Sequence, residues 1–455
     1  MIGFGSIGQA VLPLILRHLV ISPQQILILT KDDYGIEIAQ AHGVSHRISP
    51  LTQDNYLSIL KDNLSPNDFL LNLSVDVSSV DLIKYCQSND ILYLDTCVEP
   101  WAGGYADPSL SPSLRSNYAL RDSALALKRP HQPTAVITHG ANPGLVSHFV
   151  KQALLNIAED AHYPTEIPQN QNEWAGLAQA LNIKTIHIAE RDTQLANIPK
   201  KRDEFVNTWS VEGFIGEGLQ PAELGWGTHE KHWPHDAHHH EFGEQNAIYL
   251  SRPGASTRVR TWTPMAGPFH GFLITHGESI SISHYFTVKD NKQVIYRPTV
   301  HYAYHPCDDA VLSIDELAGM EWQKQGSLRL MNEEITQGID ELGVLLMGHE
   351  RGAYWYGSQL SIEEARELVP HNNATSLQVA ISVLGGMIWA MTHPHEGIVE
   401  PDEMDYQLIL NIARPYLGQV CGHYTDWTPL TGRGKLFAEK IDNKDPWQFL
   451  NVRVN

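Results

Sequence analysis

Gly3-Phe4-Gly5-Ser6-Ile7-Gly8, running on as Gln9-Ala10-Val11-Leu12-Pro13-Leu14-Ile15, is the stretch that decides the fold. It matches GxGxxG and leads into a helical pattern. In such a loop the first glycine permits a tight turn, the second lets backbone approach a pyrophosphate, and the third lets helix and strand pack closely. The helix N-terminus then receives the phosphates. Alone the pattern is weak, but its surroundings agree with it. Apolar runs at 26–29, 69–73, 91–94 and 134–138 read as buried strands, with amphipathic stretches such as 7–19 and 79–86 between them. That rhythm predicts a Rossmann-type, doubly wound parallel sheet over residues 1–145.

Two features depart from the pattern. The strand that should precede the glycines is reduced to Met1-Ile2. It would be central in the sheet, so its absence would leave neighbouring backbone groups unpaired. The expectation is therefore a native chain that begins upstream, with Met1 internal. The second strand ends Leu29-Thr30-Lys31-Asp32-Asp33, with Thr30 near the usual acidic position. Asp32 is the candidate for the ribose hydroxyls, with a solvated loop acid as the alternative. No Arg lies there, which favours NAD over NADP.

Beyond this domain the pattern changes. Segments 184–188, 271–275, 279–286 and 293–300 read as strands of a mostly antiparallel sheet with some helices, an α+β catalytic domain over 146–360. Helical patterns return at 361–368 and 375–391. They suggest a C-terminal segment, 361–455, that comes back to the Rossmann domain.

The 455 residues carry 32 Lys and Arg against 52 Asp and Glu, a formal charge of −20. The basic footprint of a nucleic-acid binder is missing. Acidity serves solubility or a cationic ligand, and charge alone does not choose. Cys86, Cys97, Cys307 and Cys421 show no CxxC spacing, which argues against a disulfide framework or structural zinc and fits a reducing compartment. The strongest apolar run, 379–391, is too short to span a bilayer, and no secretory signal opens the chain. A soluble cytoplasmic protein without membrane or nucleic-acid partners is expected.

Ligands of open α/β sheets bind beyond the carboxyl ends of the strands. Asp76, Glu99 and Asn142 follow three such ends. Singly each is a helix cap or loop residue; together they suggest an anionic mouth. Six histidines (His229, His232, His235, His238, His239, His240) invite a zinc reading, but Pro234 interrupts the helical spacing, so a surface loop with no metal is expected. Arg252, Arg258 and Arg260 could bind carboxylates, pair with internal acids or touch the cofactor.

Longer blocks carry a more specific signal. Residues 3–15 (GFGSIGQAVLPLI), 72–79 (NLSVDVSS), 95–101 (DTCVEPW), 139–154 (HGANPGLVSHFVKQAL), 189–194 (AERDTQ), 207–230 (NTWSVEGFIGEGLQPAELGWGTHE), 252–264 (RPGASTRVRTWTP), 274–282 (ITHGESISI) and 339–346 (IDELGVLL) span almost the whole chain. In these blocks the sequence closely resembles the bacterial homospermidine synthases, within the wider saccharopine-dehydrogenase-like group.

The resemblance implies a redox-neutral, NAD-dependent aminobutyl transfer, in a homodimer. Putrescine and a second putrescine (or spermidine) give homospermidine, with release of ammonia (or diaminopropane) through an imine. It also places Asp76, Glu99, Asn142, Glu190, Trp209, Glu217, His276 and Asp340 at substrate-pocket positions. Physical demands assign them roles. A diamine dication needs carboxylates at both ends, here Asp76, Glu99, Glu217 and Asp340. A cation over an indole gains about 0.5–2 kcal/mol, which suits Trp209. Glu190 could hold an ammonium, and His276, with a pKa near neutrality, is the candidate general base. Cofactor candidates are Gly3, Gly5, Ser6, Ile7, Gly8, Asp32, Ser74, Val75, Thr96, Asn142 and Pro143. A rival is an imine reductase of the saccharopine or carboxynorspermidine kind, which would need Arg at a substrate carboxylate. A second rival is a non-catalytic NAD or polyamine sensor.

Overall fold

The computed structural model describes residues 1–107, 109–164 and 166–454. The first sheet is parallel throughout. Its strands lie in the order Ser45–Ile48, Leu27–Thr30, Met1-Ile2, Phe69–Asn72, Leu92–Asp95, Ala135–Val136 and Ile398–Val399. The central place is filled by two residues. Ile2 N–H donates to Leu71 O and Leu73 N–H to Ile2 O, both at 2.8 Å. On the other side Leu29 N–H donates to Met1 O, and Gly3 N–H to Leu29 O, both at 2.9 Å. The backbone groups flanking this slot are therefore paired despite the brevity of the strand.

Helix Ser6–His18 packs on this sheet against helix Ala374–Thr392. The second helix is mostly apolar and buried along nearly its whole length, as a helix enclosed by protein should be. It is longer than the run visible in sequence, and long and apolar enough to cross a membrane, but it is buried in the fold. Strand Ile398–Val399 pairs with Ala135–Val136, so residues 374–399 complete the parallel sheet. Residues 419–425 instead join the second sheet, where Gln419–Thr425 pairs with Gly352–Ser361.

That second sheet has ten strands. The central ones are Thr299–His305, Thr185–Asp192, Ile339–His349 and Gly352–Ser361. All its pairings are antiparallel except Thr299–His305 on Thr185–Asp192. These strands are enclosed on both faces, so burial along them is nearly continuous and does not alternate.

Two local expectations fail. Residues 279–286 form not a strand but most of helix Glu278–Tyr285. Ile280 and Ile282 alternate with Ser279, Ser281 and Ser283, yet all five are buried. The polar–apolar alternation thus marks no solvent face, and packing overrides local propensity. Gly225 lets the helix approach, because a Cβ there would lie 2.3 Å from Ser283 Cβ. The histidine stretch is not one surface loop. Ala237–His239 is a strand, and His240 is buried, stacked 4.0 Å from Tyr118 and 3.2 Å from Glu223. His229 contacts Trp447 O, and His232 pairs with Asp442. No metal-binding cluster of His, Cys, Asp or Glu occurs among the described residues.

Candidate active site

The glycine loop has the local geometry its sequence demands. Gly3 has φ +84°, and a Cβ there would lie 2.7 Å from the Leu73 backbone. A Cβ on Gly8 would press at 3.0 Å on Gly3 O and the Phe4 ring, so the third glycine serves close packing. Gly5 caps Ser6–His18 with no side-chain hydrogen bond, and a Cβ there would meet nothing within 4 Å. The helix start therefore presents unpartnered backbone N–H groups to open space, which suits a pyrophosphate. Beyond the carboxyl end of strand Leu27–Thr30, Asp32 is exposed and its Oδ1 accepts from Tyr34 N–H at 3.1 Å. Lys31 pairs with Glu212 at 3.0 Å.

A cleft of about 870 Å³, open to solvent, runs from this loop to the second sheet. On the Rossmann side Ile7, Ser74, Val75, Thr96, Glu99, Asn142 and Pro143 line it. Asp95 ties two strand ends together below: its Oδ1 accepts from Thr138 N–H at 2.7 Å, and Oδ2 from the Tyr93 hydroxyl at 2.8 Å. Thr138 holds φ +56°, unusual for a β-branched residue, at the entry to the Asn142 loop.

The opposite wall carries Glu190, Trp209, Glu217, His276 and Tyr302. Strand Thr185–Asp192 supplies Glu190, which is 2% exposed. Ser210 Oγ caps helix Val211–Leu219 by accepting from Gly213 N–H, and that helix carries Glu217. Trp209, just before the cap, is fixed by its Nε1 donating to Tyr304 Oη at 3.2 Å and by Phe214 at 5.2 Å. The sequence-predicted residues thus converge from both domains, with exceptions. Asp76 is exposed at the mouth, where its N–H lies 3.5 Å from Glu99 Oε2. Asp340 does not line the cleft: it is fully buried behind Thr375, whose hydroxyl donates to it and which does line the cleft.

Arg252, Arg258 and Arg260 lie elsewhere. Arg252 binds Ser256, Arg258 stacks 3.4 Å over Phe272, and Arg260 donates to Arg453 O. Among the described residues lining the cleft there is no Lys or Arg.

Charge is distributed unevenly. His276 is buried between two carboxylates: Nε2 lies 2.9 Å from Glu217 Oε2, and Nδ1 3.3 Å from Glu278 Oε1. Burial alone would lower its pKa, but those two charges outweigh it and raise it well above 6.5. Burial, then the charge of Glu217, pushes Glu99 up to about 8. Burial also pushes Glu190 up to about 8, against hydrogen bonds from Tyr302 and Asn142. Asp340 is raised well above its ordinary value by burial and by the charges of Glu190 and Asp192.

Sequence reasoning missed Tyr302, Tyr304, Asp192, Glu278 and Thr375. Tyr302 donates to Glu190 Oε2 at 2.5 Å. Asp192 lies opposite Asp340 across paired strands and accepts from Gln194 and Thr208. The i, i+2 tyrosines of His301-Tyr302-Ala303-Tyr304 were a usable signal, since alternate strand residues share a face.

A family model described as the saccharopine dehydrogenase NADP binding domain matches residues 1–136, and one described as the saccharopine dehydrogenase C-terminal domain matches 140–425. The homospermidine synthase of Blastochloris viridis is 55% identical over 461 residues, covering 100% of this chain and 96% of its own length. The chain belongs to the homospermidine synthases. A member of that family from Mesorhizobium japonicum is 51% identical over 463 residues, again with 100% and 96% coverage. The crystal structure of the homospermidine synthase from Legionella pneumophila in complex with NAD is 55% identical, with TM-score 0.94, covering 100% of this chain and 97% of that one. An apo saccharopine dehydrogenase (L-Glu forming) from Saccharomyces cerevisiae, 11% identical with TM-score 0.54 over 93% of this chain and 98% of that one, shares the fold alone. The resemblance in the sequence blocks is thereby borne out, as is the pairing of a Rossmann-type sheet with a mostly antiparallel one. Neither the carboxylated-amine reductase nor the sensor is favoured.

Proposed function

We propose that this chain transfers an aminobutyl group from one putrescine to a second amine, giving homospermidine and ammonia with no net oxidation. One observation carries the reading. Glu99, Glu190 and Glu217 meet Trp209 in a single cleft that begins at a dinucleotide-type glycine loop. A carboxylated amine would be repelled there, whereas a diamine dication is attracted.

The open face at Gly5 and the free helix N-terminus fit the pyrophosphate of NAD, with Ser74, Val75, Thr96, Asn142 and Pro143 continuing the wall. Bound NAD supplies a hydride acceptor and donor, so that oxidation of the amine and reduction of the imine balance. The chain's own residues do the remaining work. Glu99 and Glu217 hold ammonium groups, and Asp76 attracts the dication at the mouth. Trp209 presents an indole face to the carbon–nitrogen unit as positive charge develops. Asp340, behind the cleft wall, accepts the Thr375 hydroxyl and fixes its orientation.

Glu190 is the general base of this reading, in place of His276. A general base works best with a pKa near the operating pH, and Glu190 lies at about 8. His276, flanked by two carboxylates, is an imidazolium with no lone pair to accept a proton. It anchors Glu217 and can donate a proton to the departing ammonia.

Residues 1–145 form the cofactor domain of this proposal, 146–360 the catalytic domain, and 361–455 a segment contributing to both. A cytoplasmic homodimer completes it, supported by four free cysteines and by the family resemblance. Light scattering of the purified protein measures the second point.

The test is purified protein with NAD⁺ and putrescine, with amine products resolved by mass. Homospermidine and ammonia in equal amounts without net NADH are expected. Steady NADH accumulation, or no product from folded, NAD-bound protein, overturns the reading.

A further inference from the structure

Tyr302 and Asn142 converge on one oxygen of Glu190. Tyr302 Oη lies 2.5 Å and Asn142 Nδ2 2.9 Å from Oε2. No described residue donates a hydrogen bond to Oε1, although Glu190 lines the cleft. A carboxylate so held has its two oxygens in unlike states: one saturated by donors, the other with its lone pairs free.

The tyrosine cannot turn away from this contact. It stands on strand Thr299–His305, 2% exposed, with its ring stacked 5.0 Å from Tyr304 at an interplanar angle of 10°. The His276 ring lies 4.4 Å from it, tilted by 37°. Tyr304 in turn accepts the indole N–H of Trp209 at 3.2 Å. One strand therefore fixes both the carboxylate and the indole.

We propose that Tyr302 is a positioning residue for the aminobutyl transfer. Its hydroxyl pins Oε2 of Glu190, so that Oε1 is the oxygen that takes the proton of the reacting amine. This rests on the reading of Glu190 as base. In the step, an N–H bond of the substrate ammonium breaks as Oε1–H forms, leaving a neutral amine and a neutral carboxyl. Tyr302 keeps its own proton throughout.

The groups facing Glu190 set the direction of the effect. His276 favours the ionised carboxylate, while Asp192 and Asp340 disfavour it. Tyr302 and Asn142 donate to it, and Tyr304 stands beside them. Tyr302→Phe removes a donor that binds the ionised carboxylate more strongly than the neutral carboxyl, so the carboxyl holds its proton to higher pH.

The measurement is the pH profile of kcat for Tyr302→Phe, with Glu190→Gln alongside. Infrared titration of the Glu190 carboxyl, assigned by its loss in Glu190→Gln, gives a readout independent of turnover. The expected result is an acidic limb moved upward by about one pH unit. That is roughly a tenfold loss of kcat at pH 7, with KM for putrescine changed less than about twofold and activity recovered above the new limb. A loss equal at every pH, or an unmoved carboxyl titration, overturns the proposal. If Glu190→Gln keeps its activity, the reading of Glu190 fails instead, and the two failures are distinct. If Tyr302→Phe does not fold, difluorotyrosine at position 302 replaces it. The more acidic phenol then moves the limb downward, and no downward movement overturns the proposal.

Discussion

Two acidic regions meet at the cleft, and they are neutralised differently. Glu217 and Glu278 enclose His276, so two carboxylates share a built-in cation. Glu190, Asp192 and Asp340 have neutral donors instead: Tyr302, Asn142, Thr208, Gln194 and Thr375. No described Lys or Arg forms a salt bridge with these three. Hydrogen bonds satisfy lone pairs without cancelling net charge, so burying such groups together raises their pKa. In the first region the counter-charge is part of the protein. The second completes its charge balance when a cation enters. A polyamine enzyme needs both: a fixed anchor, and a base that changes state when substrate arrives.

The largest expected effect comes from the second region. Glu190→Gln preserves shape and removes the proposed base, so kcat should fall by about 10²–10⁴, the usual worth of general-base catalysis. Thermal stability should hold or rise, because a buried acid becomes a neutral amide. Product analysis by mass and a melting curve check both halves. A variant that keeps its rate would erase the distinction between the regions. Glu217→Gln should act differently. His276 loses one of its two counter-charges, so stability should drop by about 1–3 kcal/mol while kcat changes less than in Glu190→Gln. Denaturant unfolding measures the first quantity. Trp209→Leu belongs to neither region. It should lower kcat by roughly 2- to 30-fold, the range given by a cation–π term of about 0.5–2 kcal/mol.

Much of this was legible in the sequence, and the reasons differ by residue. The glycine loop was readable because its chemistry is local: Gly3, Gly5 and Gly8 have separate steric jobs at fixed spacing. The parallel strands were readable because short apolar runs alternate with amphipathic helices. Glu190, Trp209, Glu217 and His276 came only through the family resemblance. They lie on separate elements, and spacing carries no information about such convergence. Tyr302 left only its i, i+2 spacing from Tyr304 as a signal, and both it and Asp192 were hard to read for a further reason. Their strands are buried on both faces, so no alternation marks the side that faces the cleft. The same enclosure turned the alternating Ser-Ile run of 279–283 into a helix. The protonation state of His276 was beyond sequence too, since Glu217 is far from it along the chain.

The smallest expected effect concerns pH, and it separates the regions in the protein without amine. Glu190 in the folded state titrates at about 8, above its ordinary 4.5. The folded state therefore binds this proton more tightly than the unfolded chain does. The resulting stabilisation is fully present below about pH 4.5 and is lost as pH rises through about 8. Glu99 behaves in the same sense. His276 is also raised, so its contribution is complete below 6.5 and disappears only above its still higher folded pKa. Between pH 6 and pH 9 the wild type should thus lose a few °C of Tm more than Glu190→Gln does, as followed by calorimetry. Putrescine should reverse the trend. Its cation favours the ionised carboxylates, so the Tm gain from a saturating concentration should be larger at pH 8.5 than at pH 6 in the wild type. In Glu190→Gln that gain should vary less with pH. Equal gains at both pH values in the wild type would mean that the second region is already neutralised without substrate, and the contrast between the two acidic regions would collapse.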